Sequence, residues 1–282
     1  MATARAASVR KAAVPHAGAL VEAMRPANNR TSLMVFVGAG ALLGAADAQL
    51  ALGASLILAV YGIAVILNDL CDQDVDRANN RKTPLVSGDV TPIQAWVLLG
   101  GCLALVAVEQ AWLHQPVAGA FSSIYLALAV AYSAPHVAIE DRGLAATTLL
   151  AICYFVLPLW LASGLAGARP AHFWILAAAM GLLGAAGLLY KDFKDRQGDR
   201  EAGKATPLVR YGDRAVVALS FLFAGAGGTA VVAVGTRRPL AIASISLAWC
   251  ALVAVAARRG ANPWLVQLYY LADVLALLSA MG

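Results

Sequence analysis

The sequence is poor in charge for its length. Asp, Glu, Lys and Arg together make up 13% of its 282 residues, about half the share found in soluble globular domains. Hydrophobic residues account for 61%. A soluble protein of two domains would need more charge than this, so the composition favours a single bundle of elements embedded in a membrane.

Cysteine is scarce too, with four residues in the chain. The spacing of the cysteines fits neither a zinc site nor a disulfide framework. Residues 1–30 are basic and rich in Ala, but they contain no apolar core of the signal-peptide kind. We expect a short amphipathic segment on the cytoplasmic membrane surface, with Pro15 and Pro26 limiting its helices. A transit peptide is the alternative that the composition leaves open. The cysteines are Cys71, Cys102, Cys153 and Cys250.

Long apolar runs are abundant. Nine occur, and several are close to the ~20 residues that a helix needs to cross the hydrocarbon core. Strands are not expected, because the runs lack the alternation of a membrane barrel. The sequence therefore predicts one all-α polytopic membrane domain over residues 31–282, a bundle of nine transmembrane helices. The predicted spans are residues 31–46, 49–67, 94–113, 117–134, 144–166, 171–190, 214–235, 239–257 and 263–281.

Positive charge is distributed unevenly over the loops between these spans. With the N-terminus in the cytoplasm, 18 of the 21 Lys and Arg residues fall on the cytoplasmic side, as the positive-inside rule requires. The exceptions are Arg169, Arg237 and Arg238. This bias accounts for the net charge of +5, and no soluble basic domain is present that would bind nucleic acid. We therefore expect a multi-pass protein whose partner is the lipid bilayer and not a nucleic acid.

An acidic motif occurs twice, with an offset of 123 residues. In each copy, three aspartates are spaced by three and then four residues, and Thr-Pro-Leu-Val follows at residues 83–86 and 206–209. One copy follows the second predicted span and the other follows the sixth, so both are expected on the cytoplasmic side. The aspartates are Asp69, Asp72 and Asp76 in the first copy, and Asp192, Asp195 and Asp199 in the second.

The spacing within the motif indicates chemistry assisted by a metal ion. On one helix it would place three carboxylates on one face, with Asn68 four residues before Asp72. Clustered carboxylates repel one another unless a cation lies among them. Oxygen ligands favour Mg²⁺, which often completes its shell with phosphate oxygens. The two clusters thus predict a site for Mg²⁺ and a diphosphate. The predicted diphosphate ligands are the nearby basic residues Arg77, Arg81, Lys82, Lys191, Lys194, Arg200 and Lys204.

These motifs and two further segments resemble those of a known family. The segments are Asn68-Asp69-x-x-Asp72-x-x-x-Asp76 with its second copy, Arg25-Pro26-x-Asn28 before the first span, and Tyr132-Ser133-x-Pro135 after the fourth. Together with the nine-helix count, they resemble the UbiA superfamily of intramembrane prenyltransferases. The resemblance implies a central cavity open to lipid, Mg²⁺ as cofactor and an isoprenyl diphosphate as substrate. The diphosphate would ionise to an allylic carbocation, with Asp72, Asp195 and Asn68 as catalytic residues.

The loop after the fourth predicted span departs from the family pattern. Many relatives carry a basic stretch with a Lys there, whereas this chain continues from His136 to Arg142 with Glu140 and Asp141 between them. Arg142 is predicted to take the place of that Lys at the diphosphate. The predicted acceptor or cavity residues are Arg25, Asn28, Tyr132, Ser133, His136 and Asp273.

Three functions remain open at the level of sequence. The first is transfer of the isoprenyl group to an acceptor, which we expect to be aromatic. The sequence leaves a quinone precursor, another phenolic acid, a chlorin and a lipid-glycerol phosphate open. The second is a terpene cyclase, in which the same carbocation closes on its own double bonds. The third is an ion-binding or transport protein with an internal repeat. The repeat is parallel and its acids lie near the interface, which disfavours transport because transporter sites usually lie near the bilayer midplane.

Overall fold

The computed structural model describes residues 17–78, 82–169, 171–193, 195–201, 203–234, 247–248, 250–255 and 258. Within these residues all regular structure is helical, which confirms the predicted all-α class for them. In chain order the α-helices are α1 (Ala17–Met24), α2 (Arg30–Leu42), α3 (Asp47–Cys71), α4 (Gln73–Ala78), α5 (Pro84–Ser87), α6 (Pro92–Leu113), α7 (Pro116–Ser133), α8 (Leu144–Ala151), α9 (Leu157–Leu165), α10 (Phe173–Leu188), α11 (Arg196–Glu201) and α12 (Pro207–Ala233).

Six helical segments in the described part of the chain are long and apolar enough to cross a membrane. They are α3, α6, α7, α12, the segment Leu144–Leu165 and the segment Phe173–Phe193. A π-helical turn, Ile152–Val156, joins α8 to α9 within Leu144–Leu165. These six correspond to the second through seventh predicted spans. The first predicted span corresponds to α2, which has 13 residues. Most of the eighth and all of the ninth lie outside the described residues.

Local sequence signals explain where these helices begin. Thr91 caps α6: its hydroxyl accepts from the Gln94 backbone N–H at 3.3 Å, and the Gln94 side chain accepts from the Thr91 N–H at 2.8 Å. Pro92 occupies the first turn, where no N–H is needed. The α12 helix begins at Pro207, seven residues before its predicted span. The added residues form a first stretch of helix, which a break at Gly212, with φ 76°, separates from the rest.

The core forms where aromatic rings of one helix pack onto glycines of another. Phe36 of α2 and Phe155 of the π-helical turn are both fully buried. A Cβ atom at Gly53 would overlap the Phe36 ring, and one at Gly184 would overlap the Phe155 ring. Small residues allow the close approach that holds helices together in a bilayer, where lipid removes most of the hydrophobic drive for association. At these two positions the core therefore has no room for a larger side chain.

The outer faces of the bundle are also apolar. Val97 and Trp112 of α6 are 70% and 72% exposed, and Leu222 of α12 is 63% exposed. Exposed apolar surface on this scale is unfavourable in water. It is the surface expected of helices that face lipid.

The C-terminal ends of three long helical segments meet at one end of the bundle. Asn68 in the last turn of α3 donates to the Ser133 hydroxyl at the end of α7, at 3.3 Å. Lys191, after α10, donates to the Tyr132 hydroxyl at 3.5 Å. The segments that follow these ends carry the two acidic motifs and the loop after α7, so the fold brings them together.

Candidate active site

Arg25, in the N-terminal part of the chain, forms an ion pair with Asp69 of the first motif. Arg25 follows α1 and adopts the left-handed conformation, with φ 46°, which turns the chain into the 3-10 turn Pro26–Asn29. Its guanidinium donates to both carboxylate oxygens of Asp69 at 2.7 Å. The Asp69 side chain is 1% exposed. Burial of a carboxylate is unfavourable unless it is paired and hydrogen-bonded, so Arg25 stabilises the charged form of Asp69.

Lys204 of the second motif also contacts an aspartate of the first motif. Lys204 lies 132 residues after Asp72 along the chain, yet its Nζ donates to the Asp72 carboxylate at 2.8 Å. The same Nζ donates to Glu140 Oε1 at 3.3 Å. Asn68 completes the group, because its Nδ2 donates to Asp72 at 3.2 Å and to Glu140 Oε2 at 3.0 Å. Four side chains from three segments thus form one polar network.

The pKa values of Glu140 and Lys204 are both raised in this network. Burial raises the pKa of Glu140 to about 7, because the neighbouring Lys204 ammonium only partly offsets it and Asp72 adds to the rise. Burial opposes the charge on Lys204, but Glu140 and Asp72 outweigh burial and raise the pKa of the ammonium above its usual value. Lys204 therefore stays charged, and it supplies the positive charge that these carboxylates need.

The second motif is built around a shorter turn. Asp192 lies in the 3-10 turn Lys191–Phe193 and is buried. Its carboxylate is 3.0 Å from Lys191 Nζ. Asp195 is half-buried in the turn before α11, and Asp199 is buried within α11. Because α11 packs against α4, the two acidic segments are neighbours in space.

The predicted arrangement of each motif along one uninterrupted helix is wrong. Asp69 belongs to α3 and Asp76 to α4, while Asp72 is the residue between the two helices, with φ −98° and ψ 11°. The backbone bonds from Asp72 N to Asn68 O and from Asp76 N to Asp72 O, both 2.8 Å, bridge the break. The second motif is divided in the same way between a 3-10 turn and α11. Each motif therefore occupies a junction between helices, where polar groups gather.

The Thr-Pro-Leu-Val segments after the two motifs have similar local structures. Thr83 and Thr206 are both extended and both precede a helix with Pro in its first turn. The first of these helices ends at Gly88 and the second is broken at Gly212, with φ 84° and 76°. Positive φ is readily available to Gly, so each acidic segment is followed by a short stretch of helix and a sharp redirection of the chain. The Thr83 side chain caps the first helix, whereas the Thr206 side chain makes no cap hydrogen bond.

The donor set fits Mg²⁺ held jointly with phosphate oxygens. Every acidic group at the site is an oxygen ligand, which favours hard cations, and side-chain cations already lie against three of the aspartates. Among the described residues, no three His, Cys, Asp or Glu side chains are close enough to hold a metal ion together. One or two carboxylates suffice for Mg²⁺ when substrate phosphates and water complete its shell. The residues present therefore fit the cofactor expected from the sequence.

The predicted diphosphate ligands separate into two groups. Lys204 contacts Asp72 and Glu140, and Lys191 contacts Asp192 and Tyr132. Arg77 instead pairs with Asp74 at 2.7 Å, where the two side chains are 54% and 97% exposed. The other described members, which lie exposed on the surface, are Lys82, Arg142 and Arg200. Arg81 and Lys194 lie outside the described residues.

The predicted acceptor and cavity residues are also distributed over the site. Arg25 contacts Asp69, Ser133 contacts Asn68 and Tyr132 contacts Lys191. Asn28 and His136 are exposed, and Asp273 lies outside the described residues.

Glu140 was not predicted as a site residue. It follows Ala138, which has φ 39°, and it lies within the 3-10 turn Ile139–Asp141. This turn aims the Glu140 carboxylate at Asn68 and Lys204. The only signal in the sequence was an acid where relatives carry basic residues, and the turn conformation that brings Glu140 to the network has no clear sequence signature.

Comparison with known proteins places the chain in a family. The model of the UbiA prenyltransferase family matches residues 32–271. The chain is 29% identical over 160 residues to "Chlorophyll synthase, chloroplastic" from Arabidopsis thaliana, covering 54% of this chain and 41% of that protein. It is 30% identical over 246 residues to "Digeranylgeranylglyceryl phosphate synthase" from Halobacterium salinarum, covering 84% of this chain and 82% of that protein. It thus spans less than half the length of the first of these relatives.

Solved structures show the same fold. The chain is similar to a UbiA homolog from Archaeoglobus fulgidus solved bound to GPP and Mg²⁺, with a TM-score of 0.71 and 18% sequence identity over 93% of this chain and 98% of that chain. The six apolar helices of the described residues, the match to the family model over residues 32–271 and this likeness of fold lead to one conclusion. The chain is an integral membrane protein and belongs to the UbiA prenyltransferase family.

Proposed function

We propose that this protein is a Mg²⁺-dependent prenyltransferase that moves an isoprenyl group from a polyprenyl diphosphate to an acceptor. The observation that carries the proposal is the contact between the two acidic motifs, in which Lys204 from the second motif lies 2.8 Å from Asp72 of the first. A site that mixes buried carboxylates with cations from several segments suits a metal-bound diphosphate. The family membership and the names of the relatives support the same reaction.

Each group of residues has a distinct role in this reaction. Mg²⁺, when bound, neutralises the charge that builds on the diphosphate as its bond to the isoprenyl carbon breaks. The residues that would hold it are Asn68, Asp69, Asp72, Asp76, Asp192, Asp195 and Asp199. Lys191 and Lys204 would meet the phosphate oxygens, where a Lys ammonium acts as a point charge. The isoprenyl tail would lie among apolar helices, which exclude the water that would quench an allylic cation.

The finer points of the architecture belong to the same proposal. We propose that residues 31–282 form nine transmembrane helices around a central cavity open to lipid, with residues 1–30 as an interfacial segment. The active site then lies on the cytoplasmic side, as the distribution of Lys and Arg predicts. Two solved structures of the Archaeoglobus fulgidus UbiA homolog, one bound to GPP and Mg²⁺ and one bound to DMAPP and Mg²⁺, support this substrate class.

The acceptor is the least constrained part of the reaction. The relatives include a chlorophyll synthase, a digeranylgeranylglyceryl phosphate synthase and a homogentisate phytyltransferase. Their names point to chemically different products. The acceptor is therefore best identified by a panel that contains a chlorin, a phenolic acid and a lipid-glycerol phosphate.

The test compares two aspartates that are two residues apart. Asp72 is buried within the network, whereas Asp74 is 97% exposed and pairs with Arg77. We expect Asp72→Asn to reduce release of diphosphate by roughly 100-fold or more, as removal of a group that stabilises transition-state charge does. Asp74→Asn is the matched control and is expected to retain activity within about twofold. Full activity of Asp72→Asn in a folded protein would refute the proposal.

The same assay separates transfer from cyclisation. Both reactions begin with the same ionisation, so the acidic network fits either of them. Purified protein is incubated with isoprenyl diphosphates of several lengths and Mg²⁺, with and without the acceptor panel. Product that requires an acceptor supports the transferase. A cyclic hydrocarbon or alcohol formed without an acceptor would identify a terpene cyclase instead.

A further inference from the structure

Lys204 stands between two carboxylates that belong to different segments. Its Nζ is 2.8 Å from Asp72 Oδ2 and 3.3 Å from Glu140 Oε1. The Lys204 side chain is 15% exposed, and each of the two carboxylate side chains is 10% exposed. Because all three groups are mostly shielded from water, their charges interact more strongly than they would at an open surface.

This position conflicts with metal binding at Asp72. If the Asp72 carboxylate binds Mg²⁺, as the proposed function requires, Lys204 cannot remain hydrogen-bonded to the same oxygen, because two cations would then lie side by side. Like charges at such short range repel strongly in a shielded site. Lys204 must therefore leave Asp72 when the metal ion arrives.

Glu140 offers a second partner that is already in place. Asn68 donates to Glu140 Oε2 at 3.0 Å, which leaves Oε1 directed at Lys204. Asn68 also contacts Asp72 and Ser133, so it fixes Glu140 beside the first motif. A small movement of the ammonium away from Asp72 leaves it on Glu140, still at the acidic cluster.

We propose that Glu140 is the positioning residue for Lys204. Its carboxylate holds the Lys204 ammonium when the Asp72 carboxylate binds Mg²⁺. Lys204 then has two successive tasks, which are to neutralise the first motif before substrate binds and to face the diphosphate afterwards. Glu140 acts through Lys204 and does not bind the metal ion itself. This inference rests on the proposed function, because it assumes that Mg²⁺ and a diphosphate use this site.

The test measures Mg²⁺ binding without substrate, by calorimetric titration of the protein purified in detergent. Lys204→Met removes the competing cation, and we expect it to bind Mg²⁺ roughly tenfold more tightly. Glu140→Gln leaves Lys204 with Asp72 alone, and we expect roughly five- to tenfold weaker binding. In the double variant Glu140→Gln with Lys204→Met, the effect of Glu140→Gln is expected to disappear, because its target is gone.

Two further variants separate positioning from general charge. Asp141→Asn removes the same unit of charge from the same turn, and no hydrogen bond joins Asp141 to Lys204 in the described structure. We expect it to change Mg²⁺ binding by less than about twofold. Glu140→Asp keeps the charge and is expected to recover part of the loss, which also covers the case in which Glu140→Gln fails to fold.

Steady-state kinetics provide an independent readout. Glu140→Gln is expected to raise the KM for the isoprenyl diphosphate several-fold at saturating Mg²⁺, because Lys204 is no longer held at the site. A loss of Mg²⁺ affinity that persists in the Lys204→Met background would overturn the inference, since Glu140 would then act on the metal ion directly. Equal Mg²⁺ affinity in all variants would also overturn it, while leaving the proposed function intact. If neither the wild type nor any variant binds Mg²⁺, with or without inorganic pyrophosphate, the proposed function itself fails.

Discussion

Replacing Arg25 with Met is expected to destabilise the protein far more than replacing Arg77 with Met, although each arginine forms an ion pair of 2.7 Å. The two pairs differ in burial. Asp69 is 1% exposed and Arg25 is 21% exposed, whereas Asp74 is 97% exposed and Arg77 is 54% exposed. Desolvation makes the first pair sensitive to the loss of its cation, while water screens the second.

The magnitude follows from this difference. Removing one partner of a buried ion pair costs about 3–5 kcal/mol, because it leaves a charge in a shielded place. Arg25 is partly exposed, so we expect the low end, about 3 kcal/mol. An exposed pair contributes less than about 1 kcal/mol. For a chain of this size, the midpoint of thermal unfolding should fall by roughly 6–12 °C for Arg25→Met and by only a few degrees for Arg77→Met.

The assay is thermal unfolding in detergent, followed by circular dichroism. A third variant tests the physical cause, because Asp69→Asn added to Arg25→Met removes the buried charge. We expect the double variant to recover most of the lost stability while remaining inactive. The reasoning would be refuted if both arginine variants melted within about 2 °C of each other, or if the double variant melted no higher than Arg25→Met.

Three further predictions concern packing, metal and capping. Gly184→Ala should lower stability by about 1–3 kcal/mol, because the added Cβ would overlap the buried Phe155 ring. Gly225 has open space around it, so Gly225→Ala should be neutral or stabilising. Equal melting temperatures of the two variants would contradict the close contact between Gly184 and Phe155. Chelation with EDTA should abolish diphosphate release and added Mg²⁺ should restore it, so activity that survives EDTA speaks against the proposed chemistry. Thr83→Ala should cost about 1 kcal/mol, since the Thr83 hydroxyl caps α5 by accepting from the Val86 N–H at 3.3 Å; an unchanged melting point would show that this cap does not matter.

The helices and the meeting of the three loops were predictable because both follow from strong, local signals. Long apolar runs determine where helices cross the membrane, and an even number of crossings returns the chain to the same side. Six of the nine predicted spans appear as membrane-length helices in the described residues. The contact of Asn68 with Ser133 joins two of the predicted loops, and that of Lys204 with Asp72 joins two predicted motifs.

The details within the site were less predictable. A spacing of three and four residues is compatible with one helix, but it does not show that α3 ends at Cys71, just before Asp72. Arg77 could have turned toward the carboxylates, yet it lies on the exposed side of α4 beside Asp74. Glu140 reaches the network only through the positive φ of Ala138, an unusual conformation for a residue with a side chain. Such outcomes depend on which loop conformation packs best, and residue spacing does not encode it.

The separation of Lys204 from Asp72 along the chain has a consequence for biosynthesis. Arg25 precedes Asp69 by 44 residues, so this cation has been synthesised before its carboxylate. Lys204 follows Asp72 by 132 residues. Because ribosomes add about 5–20 residues per second, Lys204 is synthesised roughly 7–26 s after Asp72. The Lys204 contact can therefore form only after the segment Phe173–Phe193 and the residues up to Lys204 have been synthesised, whereas the Arg25 contact can form as soon as Asp69 is present.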